Sequence, residues 1–435
     1  MRSFENQIPA YMSLRWKNIL LSLSAASLVV ASCSKKISSD NPLPTTYIPS
    51  VIISSDNNVL YGIDPSSGKK NWEYALPFGP TLPGLVFKPS PLLYHEMIYQ
   101  PSAYSDTIYK INSETGVIVK KIVLLDPTIT TPTPLLFNVQ STPIADANLV
   151  YLTTMNGSIY AFDTGTYKVK WSYGGDATGC VSSPVIYNGD VFFATTGGHV
   201  YCLDKTAGPD ASGNPIWAYP GPDTPPLAAN PQFNSSPSIC PPYLYIGSAS
   251  DSNMYCIYLT PPADPLGPSL PVTNAARWTY KTLGAINSSP AASYGKCIFG
   301  SNDFNVYCLD TALSPLTGTA GLIWKYPTTS QINSSPIISN QVVYIASYDY
   351  NLYSLNIIDG TVKWKFATTG LVKSSPVPYN GSILVASYDG YLYAADSAQG
   401  TLQWKYNVSG NIQSSPVVDN LTGGNFVSQI SGLVN

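Results

Sequence analysis

Two short phrases recur eight times along this chain, and their spacing constrains the fold more than any other feature. The first phrase is a strand opener, mostly Ser-Pro, that ends at Pro91, Pro143, Pro184, Pro237, Pro290, Pro336, Pro376 and Pro416. The second resembles Leu-Tyr-x-x-Asp and occupies residues 59–64, 107–112, 158–163, 199–204, 253–258, 305–310, 351–356 and 391–396. Repeats of 40 to 53 residues, each with several short strands, predict a propeller or another repeat array.

The repeat at residues 374–406 shows what one unit contains. Pro376 opens a first strand, because proline is tolerated where no ladder donor is needed. A second strand covers 383–387, and Asp389-Gly390 is expected to form a two-residue hairpin turn. Residues 391–396 and 401–406 supply the third and fourth strands. Four antiparallel strands per repeat predict a propeller blade, and eight repeats predict an all-β, eight-bladed propeller.

The two ends of the chain predict how the ring closes. The chain enters the repeats inside a blade, at Val51-Ile52-Ile53, and its last repeat stops just after the opener that ends at Pro416. Residues after this opener are therefore expected to supply the missing outermost or innermost strand of the first blade. Such closure removes two exposed sheet edges. The propeller is expected to cover residues 50–435.

Uninterrupted apolar stretches indicate that the blades are stacked. The second strands are apolar on successive residues, as in Val342–Ala346. In a half-exposed sheet, apolar and polar residues would alternate along the strand. A tryptophan follows the second phrase in seven repeats, at Trp72, Trp171, Trp217, Trp278, Trp324, Trp364 and Trp404, and Lys120 takes this position in the remaining repeat. We interpret these indoles as wedges between blades. The alternative, a ligand-stacking role, is disfavoured because the copies are distributed around the ring.

The spacing Asp-x-x-x-Gly-x-x-x-Trp, as in Asp396–Trp404, resembles the tryptophan-docking motif of quinoprotein (PQQ-like) propellers. The resemblance covers roughly residues 50 to 430. Gly165 lies early in its repeat, and Tyr258 replaces the aspartate, so these repeats depart from the pattern. The resemblance implies one of two functions. Quinoprotein dehydrogenases hold pyrroloquinoline quinone and Ca²⁺ and oxidise alcohols or sugars, whereas BamB-like lipoproteins are scaffolds without a cofactor. Small insertions favour the scaffold.

No residue of this chain is assigned a catalytic, cofactor-binding or metal-binding role. Adjacent cysteines, found against the quinone in alcohol dehydrogenases of the family, are absent, and so is a Cys-x-x-Cys-His haem signature. His95 and His199 are isolated and are interpreted as structural. The recurrent aspartate of the second phrase is better explained by turn stabilisation. The Asn-Ser-Ser steps at Asn234, Asn287 and Asn333 match a glycosylation sequon, but capping of the strand entry is the preferred interpretation.

The six cysteines after Cys33 are expected to be free, buried thiols. Cys202, Cys256 and Cys308 occupy the same blade position, as a small apolar residue would. With Asp303-Phe304 as the turn, Cys308 would face Phe299. Cys297 and Cys308 would then be diagonal neighbours, about 7–8 Å apart, too far for an unstrained disulfide.

The N-terminus resembles the leader of a bacterial lipoprotein. Arg15 and Lys17 precede the apolar stretch 19–30, which is the pattern of a secretory signal. Val30-Ala31-Ser32-Cys33 resembles a lipobox, which implies cleavage before Cys33 and lipidation of this residue, although an ordinary signal with an incidental cysteine is the alternative. Residues 1–33 are thus the expected signal peptide and 34–49 a flexible tether. Translation is expected to start at Met1 or Met12.

Composition and loop lengths bear on the partners. Only 11% of residues are charged and the net charge is −3, which gives no basic surface for nucleic acid. The loop 259–277 and those before Trp217 and Trp324 are long, as are 75–89, 125–139 and 220–233 on the opposite face. The long loops before Trp217, Trp278 and Trp324 are a candidate surface for a protein partner, or the product of neutral drift. The preferred function is a membrane-anchored, non-enzymatic scaffold in the cell envelope. The alternatives are a quinoprotein dehydrogenase with PQQ and Ca²⁺, or a carbohydrate-binding surface lipoprotein.

Overall fold

The computed structural model describes residues 49–75, 89–102, 107–123, 138–220, 231–259, 276–311 and 320–418. In these residues every regular element is a β-strand, and 32 strands form eight antiparallel sheets of four. Among them there is no helix of the length and apolarity that crossing a membrane requires. The predicted all-β, eight-bladed propeller is confirmed.

Each blade takes its four strands from one stretch of chain, except the first, which combines both ends. Blade 1 consists of β1 (Val51–Ser54), β2 (Val59–Ile63), β3 (Lys70–Ala75) and β32 (Val417–Val418). Blades 2 and 3 consist of β4 (Leu92–Tyr94), β5 (Met97–Pro101), β6 (Thr107–Asn112), β7 (Ile118–Val123), β8 (Ile144–Asp146), β9 (Leu149–Thr153), β10 (Ile159–Asp163) and β11 (Val169–Tyr173). Blades 4 and 5 consist of β12 (Val185–Tyr187), β13 (Asp190–Ala194), β14 (Val200–Asp204), β15 (Trp217–Tyr219), β16 (Ser238–Cys240), β17 (Tyr243–Gly247), β18 (Asn253–Tyr258) and β19 (Ala276–Lys281).

The last three blades have the same order. Blade 6 consists of β20 (Ala291–Ser293), β21 (Lys296–Gly300), β22 (Asn305–Asp310) and β23 (Leu322–Pro327). Blade 7 consists of β24 (Ile337–Ser339), β25 (Val342–Ala346), β26 (Asn351–Asn356) and β27 (Val362–Ala367). Blade 8 consists of β28 (Val377–Tyr379), β29 (Ser382–Ala386), β30 (Tyr391–Asp396) and β31 (Leu402–Asn407).

In blades 2 to 8 the first strand lies nearest the axis, in blade 1 β32 takes this place, and the strand that carries the tryptophan position lies outermost in every blade. Innermost strands of neighbouring blades contact each other, among them β12 with β16, β28 with β32 and β32 with β4. In blade 1, Val51 pairs with Val418 and Ile52 pairs with Val417. The predicted closure is therefore confirmed, and the C-terminal segment supplies the innermost strand.

The hydrophobic core is divided among the eight junctions between blades. Each of eight clusters of buried side chains combines residues from two neighbouring blades. Strand β25 shows why its apolar stretch does not alternate. Val342 and Tyr344 pack toward blade 8, whereas Val343 and Ile345 pack toward blade 6. Because side chains alternate between the faces of a strand, a blade enclosed on both faces needs an apolar residue at every position.

The hairpin between β29 and β30 differs from the predicted two-residue turn. Ser387 N–H donates to Tyr391 O at 3.0 Å, and Gly390 N–H donates to Ser387 O at 3.1 Å. Three residues, 388–390, therefore form the loop, and Gly390 has a φ of 80°. The prediction was wrong because Gly390, with its positive φ, ends a three-residue loop, which is another common hairpin geometry for Asp-Gly. The Asp389 carboxylate accepts hydrogen bonds from Tyr391 N–H and from the Tyr393 hydroxyl, which hold the wider turn.

Candidate functional site

The serines of the strand openers have separate structural roles. The first serine joins two strands of its own blade. Ser374 Oγ donates to Ala386 O at 2.7 Å and accepts from Ala386 N–H at 2.9 Å, and Ser235 makes the same pair of bonds with Gly247. This position therefore ties the entry of the innermost strand to the end of the second strand.

The second position of the opener joins neighbouring blades around the axis. Ser183 N–H donates to Ser236 Oγ at 2.9 Å, which links blade 4 to blade 5. The same bond, from backbone N–H to the hydroxyl of the next blade, runs from Thr142 to Ser183, Ser236 to Ser289, Ser289 to Ser335, Ser335 to Ser375, Ser375 to Ser415 and Ser415 to Ser90. Each such bond contributes on the order of 1 kcal/mol, so these bonds stabilise the seven junctions from blade 3 around the ring to blade 2.

The residues just before the serines converge on a polar pocket of about 460 Å³ around the axis. Its lining includes Gln140, Val181, Asn234, Asn287, Asn333, Lys373 and Gln413, together with Tyr348 and opener residues. The three asparagines come from adjacent blades and are hydrogen-bonded in series. Asn234 Nδ2 donates to Asn287 Oδ1 at 3.2 Å, Asn287 Nδ2 to Asn333 Oδ1 at 3.2 Å, and Asn333 Nδ2 to the Tyr348 hydroxyl at 2.8 Å. The asparagine of the Asn-Ser-Ser steps therefore lines this pocket.

Lys373 carries the only charge among the described residues that line the pocket. Its Nζ donates to Gln413 Oε1 at 3.2 Å, and Gln413 Nε2 donates to Asp56 Oδ2 at 3.2 Å. Burial lowers the pKa of Lys373, and the nearby Asp56 carboxylate opposes that shift. The pocket thus presents amides, hydroxyls and one partly compensated cation, a lining suited to hydrogen bonds with polar groups.

This lining does not fit pyrroloquinoline quinone with Ca²⁺. The quinone carries three carboxylates, whereas the lining offers the single ammonium of Lys373. Ca²⁺ needs six to eight converging oxygen ligands, typically with carboxylates among them. In the described ranges no three His, Cys, Asp or Glu side chains come together as metal ligands.

In the described part of the chain, five of the seven tryptophans lie against a glycine of the next blade. Trp364 Nε1–H donates to Ser397 O of blade 8 at 3.1 Å. Gly400, also in blade 8, has a φ of 70°, and a Cβ there would lie 2.6 Å from the Trp364 ring. The same indole–glycine contact, which we call the docking pair, joins Trp72 with Gly116, Trp171 with Gly208, Trp324 with Gly360 and Trp404 with Gly68. The glycine of the motif therefore makes room for the tryptophan ring of the preceding blade, and not for the tryptophan of its own repeat.

The indole N–H groups have recurrent partners. Each acceptor is the carbonyl just after the Asp-like position of the next blade: Ser113 for Trp72, Lys205 for Trp171, Leu259 for Trp217, Ile357 for Trp324 and Pro65 for Trp404. The buried Nε1 of Trp278 has no hydrogen-bond partner among the described residues.

The junction between blades 2 and 3 uses a different docking pair. Lys120 takes the tryptophan position, and Tyr167 takes the glycine position with a φ of 59°. Lys120 Nζ lies 5.6 Å from the centroid of the Tyr167 ring, and Lys110 Nζ donates to the Tyr167 hydroxyl at 3.2 Å. The sequence shows two departures, a lysine in place of tryptophan at residue 120 and a glycine that lies too early at residue 165. Both belong to this one substituted pair, because Tyr167 stands where the glycine would be.

Aspartates stabilise two sets of turns. After the second phrase, the Asp163 carboxylate accepts from Gly165 N–H and Thr166 N–H, and these bonds hold the pKa of Asp163 below its ordinary value. At the turn of blade 8, Asp389 also accepts from Thr369 of the preceding connection. Turn stabilisation thus accounts for these aspartates.

In blade 4 the carboxylate of the contact between the turn and the preceding connection comes from the connection, and not from the turn as in blade 8. Gly197 replaces the turn aspartate, and a Cβ there would lie 2.3 Å from Asp176 Oδ2 of the preceding connection. Asp176 Oδ2 lies 2.7 Å from His199 Nδ1 and accepts from Thr195 Oγ1 at 2.6 Å. Burial raises the pKa of Asp176, but hydrogen bonds from His199, Thr178 and Thr195 outweigh burial and hold it well below the ordinary value. Alignment of the eight turns would have revealed this exchange in the sequence.

The remaining histidine and the cysteines lie apart from the pocket lining. His95 is in a hairpin, with its ring 4.0 Å from that of Tyr94. Cys180, Cys202, Cys240, Cys256, Cys297 and Cys308 are free thiols, and all except Cys240 are buried. Burial raises the pKa of Cys308 to about 12.

The predicted register of the two neighbouring cysteines was wrong by one residue. Cys308 pairs with Ile298, and Cys297 pairs with Leu309. The loop of this hairpin, like that in blade 8, is longer than two residues, because Ser301 N–H bonds to Asn305 O. Cys297 and Cys308 therefore point to opposite faces of blade 6, toward blades 5 and 7 respectively, instead of lying diagonally on one face.

Several predictions fall outside the described residues. The signal peptide 1–33 with Cys33, most of the tether 34–49, and the greater part of the long loops 75–89, 125–139, 220–233 and 259–277 all belong to this group.

Comparisons with known proteins agree with this geometry. The family described as outer membrane protein assembly factor BamB matches residues 16–220 and 271–434. Among curated proteins no sequence matches. Similar solved structures include BamB from Moraxella catarrhalis, with 15% identity, a TM-score of 0.55, and coverage of 81% of this chain and 90% of the other. A europium-containing methanol dehydrogenase has 14% identity, a TM-score of 0.56, and coverages of 76% and 81%.

A third similar structure is the computationally designed Ika8 protein, with 12% identity, a TM-score of 0.59, and coverages of 77% and 93%. At these identities the solved structures establish the propeller fold alone. The family match spans most of the chain and includes both ends of the ring. The chain therefore belongs to the family of the outer membrane protein assembly factor BamB.

Proposed function

We propose that this protein is a lipid-anchored, non-enzymatic scaffold of the bacterial cell envelope that supports assembly of outer-membrane proteins through protein contacts. The family match over residues 16–220 and 271–434 is the observation that carries the proposal. In this proposal residues 1–33 are a lipoprotein signal, Cys33 carries the lipid, and residues 34–49 are the tether. The fold alone does not define the activity, since quinoprotein dehydrogenases share it.

The chemistry around the axis supports a scaffold over a catalyst. The opener hydroxyls that could serve as nucleophiles are engaged with backbone groups, as Ser374 is with Ala386 and Ser236 is with Ser183. His199 lies against Asp176, which also accepts from two threonines, so this histidine is held in a structural network. A ring of eight blades whose junctions are held by docking pairs, by opener bonds or by both is a rigid support for surface contacts.

Deletion of the gene tests the role in outer-membrane assembly. In cells that lack the protein, we expect less folded outer-membrane β-barrel protein, measured by heat-modifiable electrophoretic mobility. The wild-type chain should restore the folded fraction. Cys33→Ser should restore it less, because the unlipidated chain would lose its anchor. Unchanged barrel proteins in the deletion strain would contradict the proposal.

Calorimetric titration with pyrroloquinoline quinone and Ca²⁺ tests the competing function. We expect no saturable heat and no change in Tm, because the axial lining offers one ammonium and no cluster of carboxylates. Saturable binding to one site would overturn the non-enzymatic assignment and would call for a screen of alcohols and sugars as substrates.

A further inference from the structure

The outer strand of blade 2 has an exposed edge with an unusual composition. Strand β7 pairs with β6 on one side and ends its sheet, so its other edge has no strand partner in the described part of the chain. The backbone N–H and C=O groups along such an edge are a template for an additional strand. Every blade has an outermost strand, so the side chains must decide which edge is used.

Comparison with β27 identifies what is different in β7. The registers align Lys120 with Trp364, Val119 with Lys363 and Val123 with Ala367. Val119 is 51% exposed and Val123 is 54% exposed. Two solvent-exposed, β-branched side chains thus replace a lysine and an alanine. Such residues favour strand pairing and lose apolar exposure when a neighbouring strand covers them.

The same strand carries two exposed positive charges. Lys120 and Lys121 form no salt bridge with the described residues, and their ammonium groups lie 5.6 Å and 6.0 Å from the ring centroids of Tyr167 and Tyr109. The edge therefore combines a pair of cations with flanking valines. A strand that pairs with it is favoured if it places carboxylates opposite the lysines and apolar side chains opposite the valines.

Charge also argues against a second copy of this chain as the occupant. A twofold axis through the middle of two antiparallel β7 strands would place Lys120 opposite its own copy, or Lys121 opposite its own copy, because paired residues must lie on the same face of the sheet. Like charges directly opposite each other destabilise a strand pair. The edge therefore favours a different molecule over itself.

We propose that the β7 edge is a docking site for an extended acidic segment of a partner protein, which adds to blade 2 as a further strand. This inference rests on the proposed scaffold function in one respect, that the partner is a protein. Main-chain hydrogen bonds would supply affinity, and the Val-Lys-Lys-x-Val pattern would supply selectivity.

The test uses the full-length chain in detergent and a fluorescent peptide of about eight residues with two central glutamates flanked by valines. We expect saturable binding by fluorescence anisotropy. A peptide with lysines in place of the glutamates, and a peptide with alternate backbone amides methylated, should both bind about tenfold more weakly or not at all. The charge-reversed chain Lys120→Glu/Lys121→Glu should lose the acidic peptide and gain the basic one.

The matched control is Lys363→Glu/Lys365→Glu on β27, which reverses two exposed lysines on an edge that retains its tryptophan. This variant should bind the acidic peptide within about twofold of the wild-type chain, since surface charges act weakly at a distance. Equal loss in both variants would indicate general electrostatic attraction and would overturn the proposal. Binding that survives amide methylation would also overturn it.

Two other occupants give distinct results. Sedimentation of the wild-type chain as a dimer that Lys120→Glu/Lys121→Glu changes would identify a second copy. Peptide binding seen only after residues 124–137 are replaced by a Gly-Ser linker of equal length would identify that segment as the occupant. Either result, or no binding by the wild-type chain, would overturn the proposal. Because the assay contains no cells, its failure is distinguishable from failure of the scaffold function, which the barrel-protein measurement decides.

Discussion

The junction between blades 7 and 8 and the junction between blades 2 and 3 solve the same packing problem with different residue pairs. At the first, the Trp364 ring lies over Gly400, and its N–H bonds to Ser397 O. At the second, an exposed lysine lies beside the ring of Tyr167, which occupies the glycine position. Both positions differ between the two junctions, so at each of these junctions the pair, and not one residue alone, docks one blade onto the next.

The difference has an energetic consequence. Trp364 is 8% exposed, so its indole removes a large apolar area from water. Lys120 is exposed, and a cation–π contact at an exposed site contributes only about 0.5–1 kcal/mol. The 2–3 junction retains an apolar cluster that includes Tyr99, Tyr160 and Phe162. Its outer edge, in contrast, is held weakly and presents its side chains to solvent.

Removal of an indole should have the largest effect. Trp364→Ala is expected to lower the free energy of unfolding by about 3–5 kcal/mol, because it leaves a cavity and an unpaired carbonyl. Urea denaturation of the full-length chain, followed by far-UV circular dichroism, would measure the change. Lys120→Ala serves as the control from the other junction and should cost about 1 kcal/mol or less. Equal losses at the two junctions would contradict the comparison.

The glycine of the pair should come next. Gly400→Ala is expected to destabilise the protein by roughly 2–4 kcal/mol, because a Cβ would meet the Trp364 ring in addition to the strain at positive φ. Gly381→Ala provides the matched control, since Gly381 has a φ of 80° and open space around its Cβ position. That variant should report the backbone strain alone, about 1 kcal/mol. If Gly400→Ala lowered the free energy of unfolding no more than Gly381→Ala does, the Trp364 ring would be able to move aside for the Cβ without destabilising the protein.

Conversion of the 2–3 junction to the common pair should have an intermediate effect. In a double-mutant cycle, Lys120→Trp and Tyr167→Gly are expected to be coupled favourably by about 1–3 kcal/mol, because the indole needs the space that glycine leaves. The free energies of unfolding of the two single variants and the double variant measure this coupling. The same cycle with Lys121→Trp, which is outside the docking position, should show no coupling beyond about 0.5 kcal/mol.

The sequence predicted the blade count and the closure because both follow from counting repeats and locating the chain ends. It also related Trp364 to the blade junctions, since a large apolar residue at a fixed interval needs a recurrent environment. It did not pair Trp364 with Gly400, because that contact joins different repeats. The hairpin loops were predicted too short, since Asp389-Gly390 fits a two-residue turn as well as the last two positions of a three-residue loop. The polar pocket was missed, although comparing the residues before each opener would have indicated Asn234, Asn287 and Asn333.

Removal of the charge at the 2–3 junction should have the smallest effect on stability and the clearest one on recognition. Lys120→Gln retains most of the side-chain length but loses the attraction to the Tyr167 ring, so the free energy of unfolding should fall by about 0.5–1 kcal/mol or less. Urea denaturation measures this, with Lys363→Gln on β27 as the control for general charge loss. If Lys120→Gln cost as much as Gly400→Ala, the lysine would be a structural wedge equivalent to tryptophan. A small loss would show that the fold does not depend on this charge, so the charge at the edge of blade 2 can serve recognition without a cost in stability.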